Sequence, residues 1–327
     1  MYDMHYDLLT AIYMAKLNND FEGIKKWISY YNSNNVTGVV ANMCFMSKKE
    51  MQEEYHSNYY KENISVLRMF KESVDLVNEF MNKDIDILFG IEGCDYLNKD
   101  ELKPLYDIGL RAIAPVWNEP NKYASGIRDD YGLTLEGALL LEEAITLGIA
   151  IDLSHCNEKT FSDIIEFIKD YRDEGINPIV YASHSNSRRL CDRERNLTDN
   201  QLIKLKEVDG YVGVMSNRNF VIKGALENNI DIELLKDAYI QHLIHIGNII
   251  GFDHLMISTD DIKFSLGDID YQKLPIYNYE SIAKDLRKDL SKYFNEEAVE
   301  DIMINNANKI LKKVKGGNYE RKSRNVM

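Results

Sequence analysis

The sequence predicts a (β/α)8 barrel, an α/β fold of TIM type whose chemistry sits at the C-terminal ends of the strands. Eight short apolar, β-branched runs recur along 327 residues, most of them separated by segments of helical spacing. That alternation implies parallel strands joined by helical crossovers. The runs are apolar nearly throughout, as expected when both faces of a parallel sheet are covered. A doubly wound open sheet is the alternative, but the glycine-rich phosphate loop it usually carries after its first strand is missing here, where the chain reads Asp7-Leu8-Leu9-Thr10.

Taken in order, the first run ends in Asp3-Met4-His5-Tyr6-Asp7. Alternate residues of a strand point the same way, so Asp3, His5 and Asp7 are expected on one face, with His5 and Asp7 at the strand end. The next runs are residues 36–40, 85–91 and 112–116; the second of these leads into Gly90-Ile91-Glu92-Gly93 and the third into Val116-Trp117-Asn118. Residues 149–153 lead to His155, residues 178–182 to His184, then come 211–215, and 255–258 lead to Asp260. Helical spacing marks 139–147, 158–171, 199–207 and 232–250. The long connections 47–83 and 117–134 are expected to supply extra helix or to cover the site. With 5 prolines and no Gly/Ser-rich linker, residues 1–327 read as one domain with a basic, polar tail fraying from about 312.

Composition narrows the function. Charged residues make up 28% and hydrophobic residues 45%, values of an ordinary globular enzyme. The formal charge of −14 disfavours a nucleic-acid partner, which needs a basic face. No apolar run reaches about 18 residues, so no membrane span is expected. The N-terminus does not read as a cleaved export signal, and Cys44, Cys94, Cys156 and Cys191 form no Cys-x-x-Cys pair. Reduced thiols and a cytoplasmic location are the expectation.

The barrel prediction brings His5, Asp7, Glu92, His155, His184 and Asp260 to one mouth. Imidazole and carboxylate together suit a cation of borderline hardness such as zinc. Three histidines and three carboxylates fit two metals bridged by a carboxylate, which lower the pKa of a shared water towards about 7 and make hydrolysis accessible at neutral pH.

The ordered set of motifs resembles the membrane (renal) dipeptidase family, binuclear zinc peptidases on this barrel. The matching elements are Asp3 to Asp7, Gly90 to Gly93, Asp152 to His155, Ser183 to Ser185 followed by Cys191 to Asn196, and Ser258 to Asp260. The resemblance implies two zinc ions per chain, one on His5 and Asp7, the other on His155 and His184, with Glu92 bridging. It implies hydrolysis of dipeptides by a hydroxide between the ions, Asp260 as the catalytic proton carrier, and Arg195 as the group that grips the substrate carboxylate. Asp3 is expected to support the ligands from behind, and the family suggests a homodimer.

Three positions depart from the pattern. Trp117, followed by Asn118, stands where animal members carry a substrate-contacting histidine, so Trp117 and Asn118 become the substrate-facing candidates. Cys94 replaces a glycine, and Ser258-Thr259-Asp260-Asp261-Ile262-Lys263 replaces the commoner ending of the last strand. These changes leave room for another small amide, such as a β-lactam, an N-acyl amino acid or a tailoring-pathway intermediate, or for a non-catalytic metal-binding homologue. Away from the mouth, His242, His245, His254 and His56 read as structural or surface residues.

Overall fold

Eight parallel strands close on one another in chain order, so the barrel expected from the alternation of runs is the fold observed. The computed structural model describes residues 1–25, 28, 35–45, 47, 49, 64–81, 84–260, 275–277 and 281–316. The strands are β1 Tyr2–Tyr6, β2 Gly38–Cys44, β3 Asp86–Glu92, β4 Leu110–Ala114, β5 Ala150–Asp152, β6 Val180–Ala182, β7 Tyr211–Met215 and β8 Leu255–Ser258. Closure is made by β1 against β8, where Asp3 pairs with Ile257. Around them run α1 Leu8–Leu17, α2 Val66–Phe80, α3 Leu102–Ile108, α4 Leu135–Leu147, α5 Glu158–Asp173, α6 Asp199–Glu207, α7 Arg218–Val221, α8 Ile232–Ile250, α9 Ile282–Leu290, α10 Glu296–Glu300 and α11 Asn306–Gly316.

Local chemistry sets the boundaries. Asn157 caps α5 by accepting the Thr160 N–H, and Thr198 with Gln201 forms a reciprocal capping box on α6. Helix α4 starts four residues before its expected 139–147 because Thr134 caps it there, while its first leucine, Leu135, is 79% exposed and adds nothing to the buried stripe. Strand β4 ends two residues short of the expected 116, and β6 begins two residues past 178. Pro115 and Pro178 have no N–H to give the ladder. Strand β2 runs past residue 40 to Cys44 and includes Asn42, a buried polar residue that the apolar pattern leaves out.

One buried cluster lies between barrel and helices; a second fills the barrel floor. There Tyr2, Met4, Tyr181 and Tyr211 meet Ile310, Leu311 and Val314, so α11 plugs the end of the barrel opposite the strand C-termini. The chain expected to fray from about 312 is helical to Gly316. Among the described residues no helix is long and apolar enough to cross a membrane. Asp261, Ile262 and Lys263, and within 47–83 residues 48, 50–63 (His56 among them), 82 and 83, lie outside the described residues.

Strand β1 breaks strict alternation. Met4 belongs to the inner cluster, and the next residue, His5, also faces inward, with its ring 3.8 Å from that of His184. The β1–β2 pairing shifts between Asp3 and Tyr6, an irregularity of the kind that turns successive side chains to one side. The single face expected for Asp3, His5 and Asp7 therefore does not form. Asp3 turns to the end of β8 and accepts both the N–H and the hydroxyl of Thr259, at 3.0 and 2.6 Å.

Candidate metal centre

Five side chains reach one buried space from four strand ends: His5 and Asp7 from β1, Glu92 from the last position of β3, His155 from the turn after β5 and His184 from the turn after β6. His5 Nε2 lies 3.7 Å from Asp7 Oδ1 and 3.5 Å from Glu92 Oε2. The other Glu92 oxygen, Oε1, lies 2.9 Å from His155 Nε2 and 3.3 Å from His184 Nε2. Glu92 is thus shared by two triads, His5–Asp7–Glu92 and Glu92–His155–His184, and Asp260 joins His5 and His184 in a third; in each the ligand atoms lie within 4.8 Å of one another. His155 and Asp260 hold left-handed backbone, φ +69° and +50°, an uncommon conformation for residues other than glycine.

The far sides of the rings are held by hydrogen bonds. His155 Nδ1 donates to Asn118 Oδ1 at 2.9 Å, and His184 Nδ1 lies 2.7 Å from Ser183 Oγ. His5 Nδ1 sits between Ser183 Oγ at 3.1 Å and the Asn42 amide at 3.0 Å. Asn42 reaches this position because its neighbour on β3 is Gly90; a Cβ there would stand 2.0 Å from Asn42 Oδ1. Asp152 accepts the N–H groups of Ser183 and Ser154 at 2.9 and 3.0 Å, tying the β5 and β6 turns together. Asn42, Ser183 and Asp152 are absent from the sequence-based site. Asp152 and Ser183 lie within motifs already matched in the sequence, and Asn42 is signalled as a polar residue in an otherwise apolar strand.

Electrostatics follow from burial. Burial alone would lower the His5 pKa, but the charge of Glu92 and the contact with Asp7 override it and raise it well above the ordinary value. For Glu92 the opposite holds: burial opposes ionisation, yet His5 and His155 keep the carboxyl well below its usual range. Burial lowers His155 to about 3, helped by Arg195, and lowers His184 as well, helped by His5. Asp7 is raised by burial, and Asp260 is pushed up by burial to about 7.

These groups fit a cation better than they fit one another. Among the described residues His5 Nε2, Asp7 Oδ1 and Glu92 Oε1 are buried without a hydrogen-bond partner, where a buried polar atom is normally satisfied. With both Nδ1 atoms engaged as donors, the Nε2 atoms of His155 and His184 face each other and Glu92 as acceptors, 3.0 Å apart. Acceptors converging on acceptors are the signature of a ligand set. A positive ion among them supplies the compensation otherwise asked of a proton on His5.

Arg195 rises from the loop after β6, partly buried. Burial lowers its pKa and the charge of Asp260 opposes that shift. Among the described residues its guanidinium makes no hydrogen bond or ion pair, which leaves its donors for a ligand. Trp117 is buried, with its ring 5.5 Å from that of His155. Asn118, expected to face substrate, spends its oxygen on His155. The remaining described histidines find partners elsewhere. His242 accepts the Ser187 N–H and donates to the Val221 carbonyl, His245 meets Asp199 at 2.8 Å, and His254 meets Asp209 at 2.9 Å.

Residues 2–325 match the membrane dipeptidase family, Peptidase family M19. The chain belongs to that family. Among curated relatives, a protein of the pqqA 5' region of Klebsiella pneumoniae is 30% identical over 212 residues, covering 62% of this chain and 74% of that one. A protein of the PQQ-III 3' region of Acinetobacter calcoaceticus is 32% identical over 194 residues, covering 56% of this chain and 57% of that one, so the match spans little more than half of that relative. Among solved structures, a metallo peptidase of Rhodobacter sphaeroides, liganded with a phosphinate mimic of the dipeptide L-Ala-D-Ala, superposes with a TM-score of 0.72. At 19% identity it covers 96% of this chain and 98% of that one, a likeness of fold. Membership of the membrane dipeptidase family makes the chain a hydrolase of a metal-dependent class, and the clustered side chains of this dipeptidase-family barrel that could hold a metal ion accord with that.

Proposed function

We propose that this protein hydrolyses dipeptides with two divalent cations bound at the barrel mouth. The observation that carries the reading is Glu92, whose two oxygens face different partners, Oε2 towards His5 and Oε1 towards His155 and His184. His5 and Asp7 would hold one cation, His155 and His184 the other, and Glu92 both; the nitrogen and oxygen donors suit zinc. When bound, such a pair supplies a water ionised near neutral pH and polarises a carbonyl.

The chain's own groups do the rest. Arg195, its guanidinium uncommitted among the described residues, grips the substrate carboxylate in two parallel hydrogen bonds and limits length to a dipeptide. Asp260 takes a proton from the attacking water and returns it to the leaving amine. Trp117 packs against His155 and walls the substrate side, while Asn118 keeps His155 turned with Nε2 inward.

The test is a panel of dipeptides with their C-terminal amides and N-acyl forms, followed by amine release with and without chelator. Chelator-sensitive cleavage of free dipeptides, lost on amidation, is expected. No chelator-sensitive cleavage of any member overturns the reading. Trp117 in place of a polar side chain favours a second reading, the same centre acting on another small amide. Preferential turnover of N-acyl amino acids or β-lactams would select it.

A further inference from the structure

Two rings of the centre converge on one hydroxyl. Nδ1 of His5 and Nδ1 of His184 lie 3.1 and 2.7 Å from Ser183 Oγ. His5 shares one triad with Asp7 and His184 another with His155, the two joined through Glu92, and both rings also meet Asp260 in the third. With each Nε2 turned to Glu92, at 3.5 and 3.3 Å, the ring proton belongs on Nδ1. A hydroxyl oxygen has two lone pairs and accepts both; its own hydrogen is left for Ser154 Oγ, 3.4 Å away.

Ser183 is built in place for this. It is fully buried, its N–H is taken by Asp152 at 2.9 Å, and β7 lies directly against it. A Cβ on Gly213 would stand 2.0 Å from the Ser183 carbonyl oxygen, so only glycine leaves this residue room. The Asn42 amide, with its nitrogen 3.0 Å from Nδ1, meets His5 alone; with the ring proton on Nδ1 the amide turns its oxygen to the ring and is a second acceptor for that proton.

We propose that Ser183 is a positioning residue that orients one ligand of each cation and so couples the two sites, an inference that rests on the metal reading above. An outer acceptor on a ligating imidazole fixes its tautomer and orientation, and its loss typically costs about 10–100-fold in metal affinity. Because one oxygen serves both rings, its removal weakens both ions together. Loss of Asn42 weakens only the ion on His5 and Asp7.

The experiment measures bound zinc per chain against free zinc fixed by chelator buffers, for the full chain and three variants. Ser183→Ala is expected to move both half-occupancies to about 10–100-fold higher free zinc, and Asn42→Ala to move one. Ser216→Ala, which removes a buried hydroxyl with no hydrogen-bond partner among the described residues, is the control and is expected to match the wild type. If Ser183→Ala does not fold, Ser183→Cys fills the space with a poor acceptor and is expected to show the same double shift. A Ser183 variant that binds both ions as the wild type does, or loses one while holding the other unshifted, overturns the inference alone. A wild-type chain that takes up no metal overturns the metal reading and this inference with it.

Discussion

Nε2 of His155 and Nε2 of His184 stand 3.0 Å apart, with Glu92 Oε1 at 2.9 and 3.3 Å. The Nδ1 protons of the two rings go to Asn118 and Ser183, so the inner edge of the site is made of acceptors. Folding has to hold these lone pairs together against their repulsion, and a bound cation reverses the sign of that contribution. Zinc at about 100 times its dissociation constant is therefore expected to stabilise the fold by about 2.7 kcal/mol per independent site. Calorimetric melting with zinc and with chelator measures the gap. Glu92→Gln, which replaces the shared anion by a neutral amide, is expected to close most of it. Coincident melting of zinc-loaded and chelated wild type would remove the cation from the account.

Arg195 is a positively charged group near the centre that makes no hydrogen bond or ion pair among the described residues. Arg195→Ala is expected to raise KM for free dipeptides by about 10–100-fold, the worth of a charge-assisted pair of about 1.5–3 kcal/mol, with a smaller change in kcat. The sharper readout is discrimination. The wild type should prefer a dipeptide to its C-terminal amide, and the variant should handle both alike. An alanine variant that still rejects the amide would move the carboxylate site elsewhere.

How much of this was legible in the sequence depends on the kind of information each residue needs. Glu92, His155 and His184 stand out because each is a polar residue just past an apolar strand, and chain order alone carries them to one end of the barrel. His5 is legible for the same reason, but its orientation is not. The pairing shift that turns Met4 and His5 to the same side depends on β2 and β8, which lie far away in sequence. Asn42 falls beyond the apolar stretch that marks its strand. Ser183 and Asn118 sit in visible motifs, yet their contacts depend on which ring nitrogen faces outward, and spacing along the chain does not encode that.

Asp260 joins His5 and His184 at the mouth, and burial pushes its carboxyl up to about 7 against the pull of His5. Bound cations add positive charge and draw that value down. A base works when ionised, so activity is expected to fall as pH drops through an acidic limb below 7. Asp260→Asn should abolish that limb and lower kcat by about 10²–10⁴-fold, the usual worth of a positioned proton carrier. The pH–rate profile of both proteins checks it. Wild-type kcat in the asparagine variant would exclude Asp260 from proton transfer.

His242, in the middle of α8, ties the loop that follows β6 to the end of α7. Its Nδ1 accepts the Ser187 N–H and its Nε2 donates to the Val221 carbonyl, both at 3.0 Å. Accepting the Ser187 N–H requires the neutral ring, and burial lowers its pKa to about 4 against the pull of the Val221 carbonyl. The unfolded chain, with an ordinary value near 6.5, takes the proton first as pH falls. The contribution of His242 is therefore complete above about 6.5, declines as pH falls towards 4 and is lost below it. A shift of this size corresponds to about 3 kcal/mol at 1.36 kcal/mol per pH unit. His242→Phe keeps the volume but leaves a buried N–H and a buried carbonyl unmatched, at about 1–3 kcal/mol for each such group. The variant is expected to lose about 2–4 kcal/mol at pH 7 and less at pH 4.5, so the two proteins converge in acid. Urea denaturation of both at the two pH values measures this. A stability difference independent of pH would mean that His242 acts only by filling space.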